Sequence, residues 1–322
     1  MGLALDKKWL WDSWYVRDGE TYHGFFLQAD KALEDPELRH WNVTYGHATS
    51  TDLINWNYLG TCFAPADEPA WDDFTTWTGS VIAGDDGQWH LFYTGTSKSS
   101  NGKQQKIGHA VSDDLHNWTR VGDGQILDRN DTYEEFVPGQ WHDRAFRDPW
   151  VMRDPDGDGW LMYFTARKAD IPNAMEAGAI GFATSKDLFT WELQDPVYVG
   201  GFGELEVPQV FEARGKWYCL FCTAARFWSS EAISIAGPAM TGSHYLIADD
   251  PRGPWRIAPG PALDVSVFPK RYAARIVCDG AEMKLLGFNW SEKEGGQFKG
   301  EISNPDLVEI TEDGLLRLAK SA

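Results

Sequence analysis

Short runs of aromatic and aliphatic residues, each preceded by a turn rich in Gly, Asp or Asn, recur along the chain. Such runs are typical of β-strands, and helical periodicity is nearly absent. The five clearest runs begin at Tyr22, Trp89, Trp160, Trp217 and Met283. Their starts are separated by 67, 71, 57 and 66 residues, a spacing of about 65. This spacing divides the 322-residue chain into five copies of one structural unit.

A second repeated pattern follows the first four runs. It places a tryptophan after an Asp-Leu pair and two further residues in GHATSTDLINW, GHAVSDDLHNW and GFATSKDLFTW, and YLIADDPRGPW is a weaker copy. The tryptophans are Trp56, Trp118, Trp191 and Trp255. Each copy predicts a short strand, a turn and an outer strand that begins at the tryptophan.

Five units of about four strands each predict an all-β fold, the five-bladed β-propeller, which closes radially and leaves only short edges. A β-sandwich would also contain little helix, but it gives no reason for a repeat of this length. We expect a single domain over residues 1–322 with no C-terminal β-sandwich, because the five units fill the chain.

Carboxylates recur at one position of the predicted units. The innermost strand of a propeller blade lines the central channel, so we compared the residues 10 to 12 positions before each run. They are Asp12, Gly79, Asp148, Glu206 and Arg271. Three carboxylates among apolar neighbours are costly to bury unless they are paired or functional, although any one Asp could simply cap a turn. Directed into one funnel, they would suit glycoside cleavage, which uses one carboxylate as nucleophile and another as acid.

Composition narrows the classes of partner. The chain has 48 acidic and 29 basic residues, a formal net charge of −19, which argues against nucleic-acid and anionic-membrane partners. The first residues lack the apolar core of a signal peptide, and no stretch approaches the ~18 apolar residues of a membrane span. We therefore expect a cytoplasmic protein. The sequence gives no indication of its oligomeric state.

The sequence predicts no metal and no other cofactor. DPDGDGW has the spacing of the first half of a calcium loop, but Thr165 stands where the loop needs a bidentate Glu. Cys219 and Cys222 have CxxC spacing within a predicted strand, where residues three apart point to opposite faces.

Four short motifs occur in order on the repeat: LWDSW, WTGS, FRDP and ELEVPQVF. Together they resemble the clan of glycoside hydrolase families 32 and 68, and the resemblance covers almost the whole chain. It implies a five-bladed propeller that cleaves β-fructofuranosides such as sucrose, levan and inulin, with a small carbohydrate as its partner. The leading hypothesis is a retaining β-fructofuranosidase that acts on sucrose or short fructooligosaccharides.

The resemblance also implies roles for individual residues. Asp12 would be the nucleophile, Glu206 the general acid/base, and Asp148 the group that binds fructosyl hydroxyls and stabilises the transition state. A retaining mechanism places the Asp12 and Glu206 carboxyl groups about 5–5.5 Å apart. The further residues expected to bind substrate are Trp11, Trp77, Ser80, Arg147, Glu204, His142 and Arg226.

Three departures from the families leave the substrate open. Trp11 and Ser13 flank Asp12 where family 32 usually has Asn and Pro, and Val207 follows Glu206 where it usually has Cys. The alternatives are a fructosyltransferase with the same site, a propeller hydrolase acting on arabinosides or xylosides, and a non-catalytic sugar-binding propeller. The Arg-Asp-Pro motif disfavours the second alternative, and the presence of all three carboxylates disfavours the last.

Overall fold

The computed structural model describes residues 2–67, 69–268 and 270–319. These residues form five antiparallel sheets, each of four or five strands in nearly sequential order. The strands of blades 1 and 2 are β1 (Lys8–Asp18), β2 (Thr21–Asp30), β3 (Thr44–Ser50), β4 (Asn57–Phe63), β5 (Thr75–Ala83), β6 (Trp89–Thr96), β7 (Lys106–Ser112) and β8 (Thr119–Leu127).

Blades 3, 4 and 5 each contain a short fifth strand, which pairs with the third strand of the sheet in blades 3 and 4 and with the second strand in blade 5. Their strands are β9 (Phe146–Arg153), β10 (Trp160–Arg167), β11 (Gly178–Ser185), β12 (Trp191–Leu193), β13 (Tyr198–Val199), β14 (Glu206–Ala213), β15 (Lys216–Thr223), β16 (Thr241–Ala248), β17 (Arg256–Ile257), β18 (Asp264–Ser266), β19 (Arg271–Asp279), β20 (Glu282–Asn289), β21 (Glu301–Ile302), β22 (Asp306–Ile310) and β23 (Leu316–Leu318).

Helical structure is confined to short segments between strands. In the described ranges the α-helix α1 (Ser230–Ala236) has seven residues, and no helix is long and apolar enough to cross a membrane. The 3-10 helices are Lys31–Leu33, Pro36–Trp41, Lys98–Ser100, Ala174–Glu176 and Ala225–Phe227.

The innermost strands close a ring. Strands β1, β5, β9, β14 and β19 each contact the next in this order, and β19 contacts β1. The junction between blades 5 and 1 is reinforced by backbone hydrogen bonds, in which Leu10 N donates to Gly300 O and Ile302 N donates to Leu3 O, both at 2.9 Å. The predicted five-bladed β-propeller is therefore confirmed.

The tryptophans of the repeated pattern pack blades 1, 2 and 3 against the preceding blade of the ring. Trp118 of blade 2 meets the edge of Phe25 in blade 1 at a ring distance of 5.9 Å, and Trp191 of blade 3 meets Phe92 in blade 2 at 5.4 Å. Trp56 lies in a cluster with Leu286 of blade 5. Burial of large aromatic rings between sheets contributes much of the stability of such a ring of blades.

The Asp-Leu turn before each tryptophan is built by side-chain hydrogen bonds. Asp52 Oδ1 accepts hydrogen bonds from Ile54 N and Asn55 N, at 2.8 and 2.7 Å. Leu53 is fully buried with a φ of +64°, and its carbonyl accepts a hydrogen bond from Trp56 Nε1. The turn repeats at Asp114 and at Asp187, which explains the sequence pattern.

Histidines occupy the same interior position in blades 1 and 2. His47 stacks on Phe25 at a ring distance of 4.6 Å, and His109 stacks on Phe92 at 4.7 Å. Each ring is also hydrogen-bonded to a second histidine at 2.9 Å. Burial lowers the pKa of His47 and of His109 to about 3, so both rings are neutral in the folded protein.

We expect these two histidines to make the folded state less stable as the pH falls below about 6.5, the ordinary pKa of an unfolded histidine. Between that pH and about 3 the unfolded chain binds protons that the folded chain excludes, which costs at most about 1.4 kcal/mol per pH unit for each such histidine. Urea unfolding at pH 7.5, 6.0 and 5.0 measures the effect. The matching position of blade 3 is Phe182, so His109→Phe is the natural comparison. The free energy of unfolding of His109→Phe should fall less steeply than that of the unaltered protein as the pH is lowered. An identical slope in the two proteins would show that His109 is not held neutral.

Candidate active site

All five blades contribute to one cavity at the end of the inner strands. Its volume is about 630 Å³, and one residue from each inner strand illustrates its construction. These residues are Trp11, Trp77, Arg147, Glu206 and Tyr272. Sheet register places all five at the same level of the propeller.

A β-bulge follows this level in every inner strand. The register shifts between Trp11 and Ser13 in β1, and at the corresponding points of the other four inner strands. The extra residue has a positive φ in blades 3, 4 and 5, at Asp148 (+59°), Val207 (+54°) and Ala273 (+46°). Because a bulge re-aims a side chain, two consecutive residues, such as Trp11 and Asp12, line the cavity.

The sheet register corrects the alignment drawn from counting residues. The bulge residues equivalent to Asp12 are Thr78 in blade 2 and Asp148 in blade 3, whereas Glu206 lies one residue before its bulge. The count selected Gly79 and Arg271 instead of Thr78 and Tyr272. Arg271 forms ion pairs away from the cavity.

Asp12 is a half-buried carboxylate with one strong donor. The Thr78 hydroxyl donates a hydrogen bond to Asp12 Oδ2. Burial, and then the negative charge of Asp148, raises the pKa of Asp12 to about 6, although the Thr78 hydrogen bond opposes this shift. At neutral pH the group is therefore mostly ionised, and it has few donors to stabilise its charge.

Asp148 is held more tightly. Its Oδ2 accepts hydrogen bonds from Thr165 Oγ1 at 3.0 Å and from Val207 N at 3.1 Å, and it lies 3.6 Å from Arg147 Nε. Burial nevertheless raises the pKa of Asp148, because it outweighs the opposing effect of Arg147.

Glu204 and Glu206 share one guanidinium group. Arg147 Nη2 lies 3.1 Å from Glu204 Oε1 and 2.9 Å from Glu206 Oε1, and the Tyr272 hydroxyl donates to Glu206 Oε2. Burial and the negative charge of Glu204 raise the pKa of Glu206 to about 7. Burial also opposes ionisation of Glu204, but Arg147 and His142 outweigh it and lower its pKa to about 2. One carboxyl group of the pair is therefore ionised, while the other retains a proton near neutral pH.

His142, Asp143 and Glu204 form a cluster, in the part of the chain that the structure describes, whose donor atoms lie within 4.8 Å of one another. His142 Nε2 is 3.0 Å from Glu204 Oε1. Arg147 also contacts both carboxylates, with Nη1 at 3.5 Å from Asp143 Oδ2. This guanidinium supplies positive charge where a metal ion would have to bind, so the hydrogen bonds account for the cluster and Arg147 opposes a divalent cation.

Nine of the ten residues predicted for the site line the cavity. They are Asp12, Asp148, Glu206, Trp11, Trp77, Arg147, Glu204, His142 and Arg226. The prediction for Ser80 is wrong, because its buried hydroxyl accepts a hydrogen bond from Val151 N in the neighbouring blade. Ser80 follows the bulge of β5, which directs Thr78 into the cavity in its place.

Further lining residues were not predicted from the sequence. Thr78 and Tyr272 each stand next to a position selected by counting. Arg39 and Trp41 come from the connection between β2 and β3, which breaks the repeat and gave no signal.

Comparison with known proteins places this architecture in a family. Residues 7–249 match the family model described as the glycosyl hydrolases family 32 N-terminal domain. The chain belongs to glycosyl hydrolase family 32. Membership agrees with the resemblance carried by the four sequence motifs, and the family 32 match includes the inner strands of blades 1 to 4.

The individual similarities are distant. The family 32 chain is 26% identical over 304 residues to a levanase of Bacillus sp. (strain L7), an alignment that covers 84% of the chain and 30% of the levanase. It is 29% identical over 178 residues to a levansucrase of Lactobacillus gasseri, covering 48% of the chain and 22% of the levansucrase. The chain therefore spans less than a third of the length of these relatives.

Solved structures share the fold. The inulosucrase from Halalkalicoccus jeotgali bound to kestose superposes on this family 32 chain with a TM-score of 0.78 at 22% identity. The superposition covers 98% of the chain and 87% of the inulosucrase. The five-bladed architecture is thus common to both proteins.

Proposed function

We propose that this protein is a retaining glycoside hydrolase that cleaves β-fructofuranosidic bonds in sucrose or short fructooligosaccharides. The observation that carries the proposal is the pairing of Asp12 and Glu206 in one cavity with different protonation. The pKa of Asp12 is raised to about 6 and that of Glu206 to about 7. Near neutral pH this supplies an ionised nucleophile and a protonated acid, the two groups that glycoside cleavage requires.

In the first step a carboxylate oxygen of Asp12 attacks C2 of the fructosyl unit as the bond from C2 to the leaving oxygen breaks. Glu206 transfers its proton to that oxygen, so the leaving sugar departs as a neutral alcohol. The product is a covalent ester between Asp12 and the fructosyl unit. The small number of donors to Asp12 favours this step, because a weakly stabilised carboxylate is the better nucleophile.

In the second step water attacks the same carbon from the side that the leaving sugar vacated. Glu206, now ionised, takes one proton from that water, and the ester bond to Asp12 breaks. Arg147 stabilises the ionised form of Glu206, since its Nη2 lies 2.9 Å from Oε1. Both groups then have the protonation with which the cycle began.

Asp148 would stabilise the transition state without forming a bond to the substrate. Its bonds to Thr165 and Val207 fix the carboxylate while leaving it on the cavity wall. Positive charge develops on the fructosyl ring in the transition state, and a preorganised carboxylate lowers its free energy.

The second candidate is a fructosyltransferase with the same intermediate, in which a sugar hydroxyl replaces water in the second step. Similarity to a levansucrase favours it. The chemistry of Asp12 and Glu206 is identical in both cases, so only the acceptor distinguishes them.

Product analysis tests the proposal. The protein is incubated with sucrose, inulin, levan and nitrophenyl arabinofuranoside, and the products are followed by chromatography. We expect fructose release from sucrose or short fructooligosaccharides. In the presence of methanol, a retaining enzyme should form methyl β-fructofuranoside, which NMR distinguishes from the α-anomer.

Each outcome decides between the candidates. No product from any fructoside would refute the proposed activity, and an α-fructofuranoside would refute the covalent mechanism. Oligosaccharides that increase with sucrose concentration would favour transfer. Cleavage of the arabinofuranoside alone would assign the protein to another substrate class.

A further inference from the structure

A second cavity lies farther along the inner strands than the active-site cavity. Its volume is about 310 Å³. Tyr15, Trp150, Gln209 and Arg275 line it, and each stands three positions after a residue that lines the active-site cavity. The inner strands of blades 1, 3, 4 and 5 therefore run from one cavity to the other.

Arg275 is a buried cation between the two cavities. Its side chain lies over the ring of Trp150 at 5.2 Å, and the residue is 1% exposed. Its Nη1 donates to Val207 O at 3.0 Å and to Pro208 O, whereas its Nε and Nη2 have no hydrogen-bond partner among the described residues. A buried cation with unsatisfied donors costs free energy that an apolar side chain would avoid, which indicates a role beyond filling space.

Arg275 holds the bulge of β14 from blade 5. The bulge residue Val207 has a φ of +54°, a conformation that β-branched residues keep only when their surroundings fix it. Val207 N donates to Asp148 Oδ2 at 3.1 Å, and Val207 O accepts from Arg275 Nη1. The bulge is thus held between a carboxylate of the active site and the guanidinium. Because Glu206 directly precedes Val207, the same bulge sets the direction of the Glu206 side chain.

Gln209 fixes the strand that carries Arg275. Its Oε1 accepts a hydrogen bond from Ile276 N and its Nε2 donates to Ile276 O, both at 2.7 Å. One side chain of β14 therefore bonds both backbone groups of the residue next to Arg275. This pairing sets the position of Arg275 relative to Val207.

The charge of Arg275 acts on the two aspartates of the site. Burial lowers the pKa of Arg275 to about 10, so the guanidinium stays protonated at neutral pH. Burial raises the pKa of Asp12 to about 6 and also raises that of Asp148, and the charge of Arg275 opposes both increases. Arg147 acts on Asp148 in the same direction, and Arg39 also faces Asp12.

The thiols of Cys219 and Cys222 in β15 and the hydroxyl of Tyr15 in β1 also lie near Arg275. Burial raises the pKa of each of these groups, so all three are neutral at neutral pH. Under these conditions the charge of Arg275 therefore acts on the carboxylates of Asp12 and Asp148.

We propose that Arg275 is a positioning residue for the reaction, which fixes the bulge that holds Asp148 and directs Glu206 and supplies positive charge to the Asp12 and Asp148 carboxylates. It acts through these residues rather than on the substrate, since it lines the second cavity and not the active site. This inference rests on the proposed function, because it takes Asp12 as the nucleophile and Glu206 as the acid.

Arg275→Met removes the charge and the hydrogen bonds but keeps a long side chain. With whichever glycoside the protein cleaves, we expect kcat to fall about 10- to 100-fold while KM changes little. The acidic limb of kcat/KM should move to higher pH by about one unit, because Asp12 ionises less readily without the cation. Arg275→Lys keeps the charge and a donor for Val207 O, so it should return the acidic limb to its original pH and restore part of kcat.

Arg17→Met is the matched control. Arg17 lines the same second cavity, but its side chain is 46% exposed and pairs with Asp279 at 3.4 Å. Its replacement should leave kcat and the pH profile unchanged. A shift as large as that of Arg275→Met would overturn the specific role of Arg275.

Thermal unfolding tests the charge without requiring turnover. At pH 7.5, Asp12→Asn should raise the Tm more in the Arg275→Met background than in the unaltered protein, because ionised Asp12 is less stable without the cation. Asp18→Asn, at the exposed end of β1, should change the Tm equally in both backgrounds. If Arg275→Met does not fold, Arg275→Gln, which is neutral but retains an amide donor, replaces it with the same expectations.

The outcomes separate this proposal from the proposed function. An unchanged acidic limb in the folded neutral variant, or an Arg275→Lys variant that performs no better than the neutral one, would overturn the role of Arg275. If the protein cleaves no glycoside, the proposed function fails and the unfolding measurements decide. A larger rise in Tm in the neutral background then supports the charge interaction with Asp12, and equal rises overturn it.

Discussion

The Asp12→Asn variant is expected to release fructose from sucrose at least about 10⁴-fold more slowly than the unaltered protein, because the covalent intermediate cannot form. The amide keeps the size of the carboxylate and can still accept the Thr78 hydrogen bond. Initial rates of fructose formation measure the loss. Asp12→Ala, which cannot revert to aspartate by deamidation, should show the same loss.

The same substitution should stabilise the fold. Burial and Asp148 raise the pKa of Asp12 to about 6, so its ionisation at neutral pH opposes folding, and a neutral amide removes this cost. We expect the Tm of Asp12→Asn at pH 7.5 to equal or exceed that of the unaltered protein. Asp18→Asn is the matched control, since Asp18 is exposed at the other end of β1. A variant of Asp12 that is folded and retains more than about a hundredth of the activity would refute the assignment of the nucleophile.

Glu206→Gln should lower kcat for sucrose by a factor of about 10² to 10⁴, the usual contribution of a general acid. A substrate with an activated leaving group, such as fructosyl fluoride, needs no proton in the first step. The decrease in kcat that Glu206→Gln causes with fructosyl fluoride should therefore be much smaller than the decrease with sucrose when the first step limits the rate. Glu212→Gln changes an exposed carboxylate on the same strand and serves as control. An equal loss with both substrates would argue against Glu206 as the acid.

The pH profile gives a second measure of the same residue. In the unaltered protein, kcat/KM should rise as Asp12 ionises near pH 6 and fall as Glu206 loses its proton near pH 7. In Glu206→Gln only the rise should remain for the activated substrate. A fall above pH 7 that persists in this variant would assign the basic limb to another group.

The spacing of repeated residues along the chain is sufficient to predict the fold. The propeller follows from two patterns that depend only on local chemistry: the aromatic run of each second strand, and the Asp-Leu turn that begins each outer strand. Asp52 and Leu53 make contacts within a few residues, so this turn has a fixed sequence and can be read directly. The pattern predicts a tryptophan at the start of an outer strand, but the spacing does not show that these tryptophans form contacts between successive blades.

Residue spacing also located Asp12, Asp148 and Glu206, but it did not show that Asp12 and Asp148 are bulge residues whereas Glu206 lies one residue before its bulge. The connection between the first and second strands has two residues in blades 1, 4 and 5, five in blade 2 and six in blade 3, so a count made back from the second strand does not reach the same level in every blade. Thr78 and Tyr272 lie one residue from the positions that this count selected. Ser80 belongs to the WTGS motif, but the strand directs its hydroxyl toward the neighbouring blade, where it accepts a hydrogen bond from Val151 N.

The sequence by itself determined the number of blades, the inner strands and the carboxylates that they carry, because these depend on short-range patterns. Tertiary structure alone decided which of those carboxylates retains a proton, since burial and the position of Arg147 between Glu204 and Glu206 set that balance. It also decided the shape of the cavity wall, where Trp41 meets Trp77 of blade 2, a residue distant in the chain. Electrostatic and packing energies depend on distances in space, and spacing along a chain does not contain them.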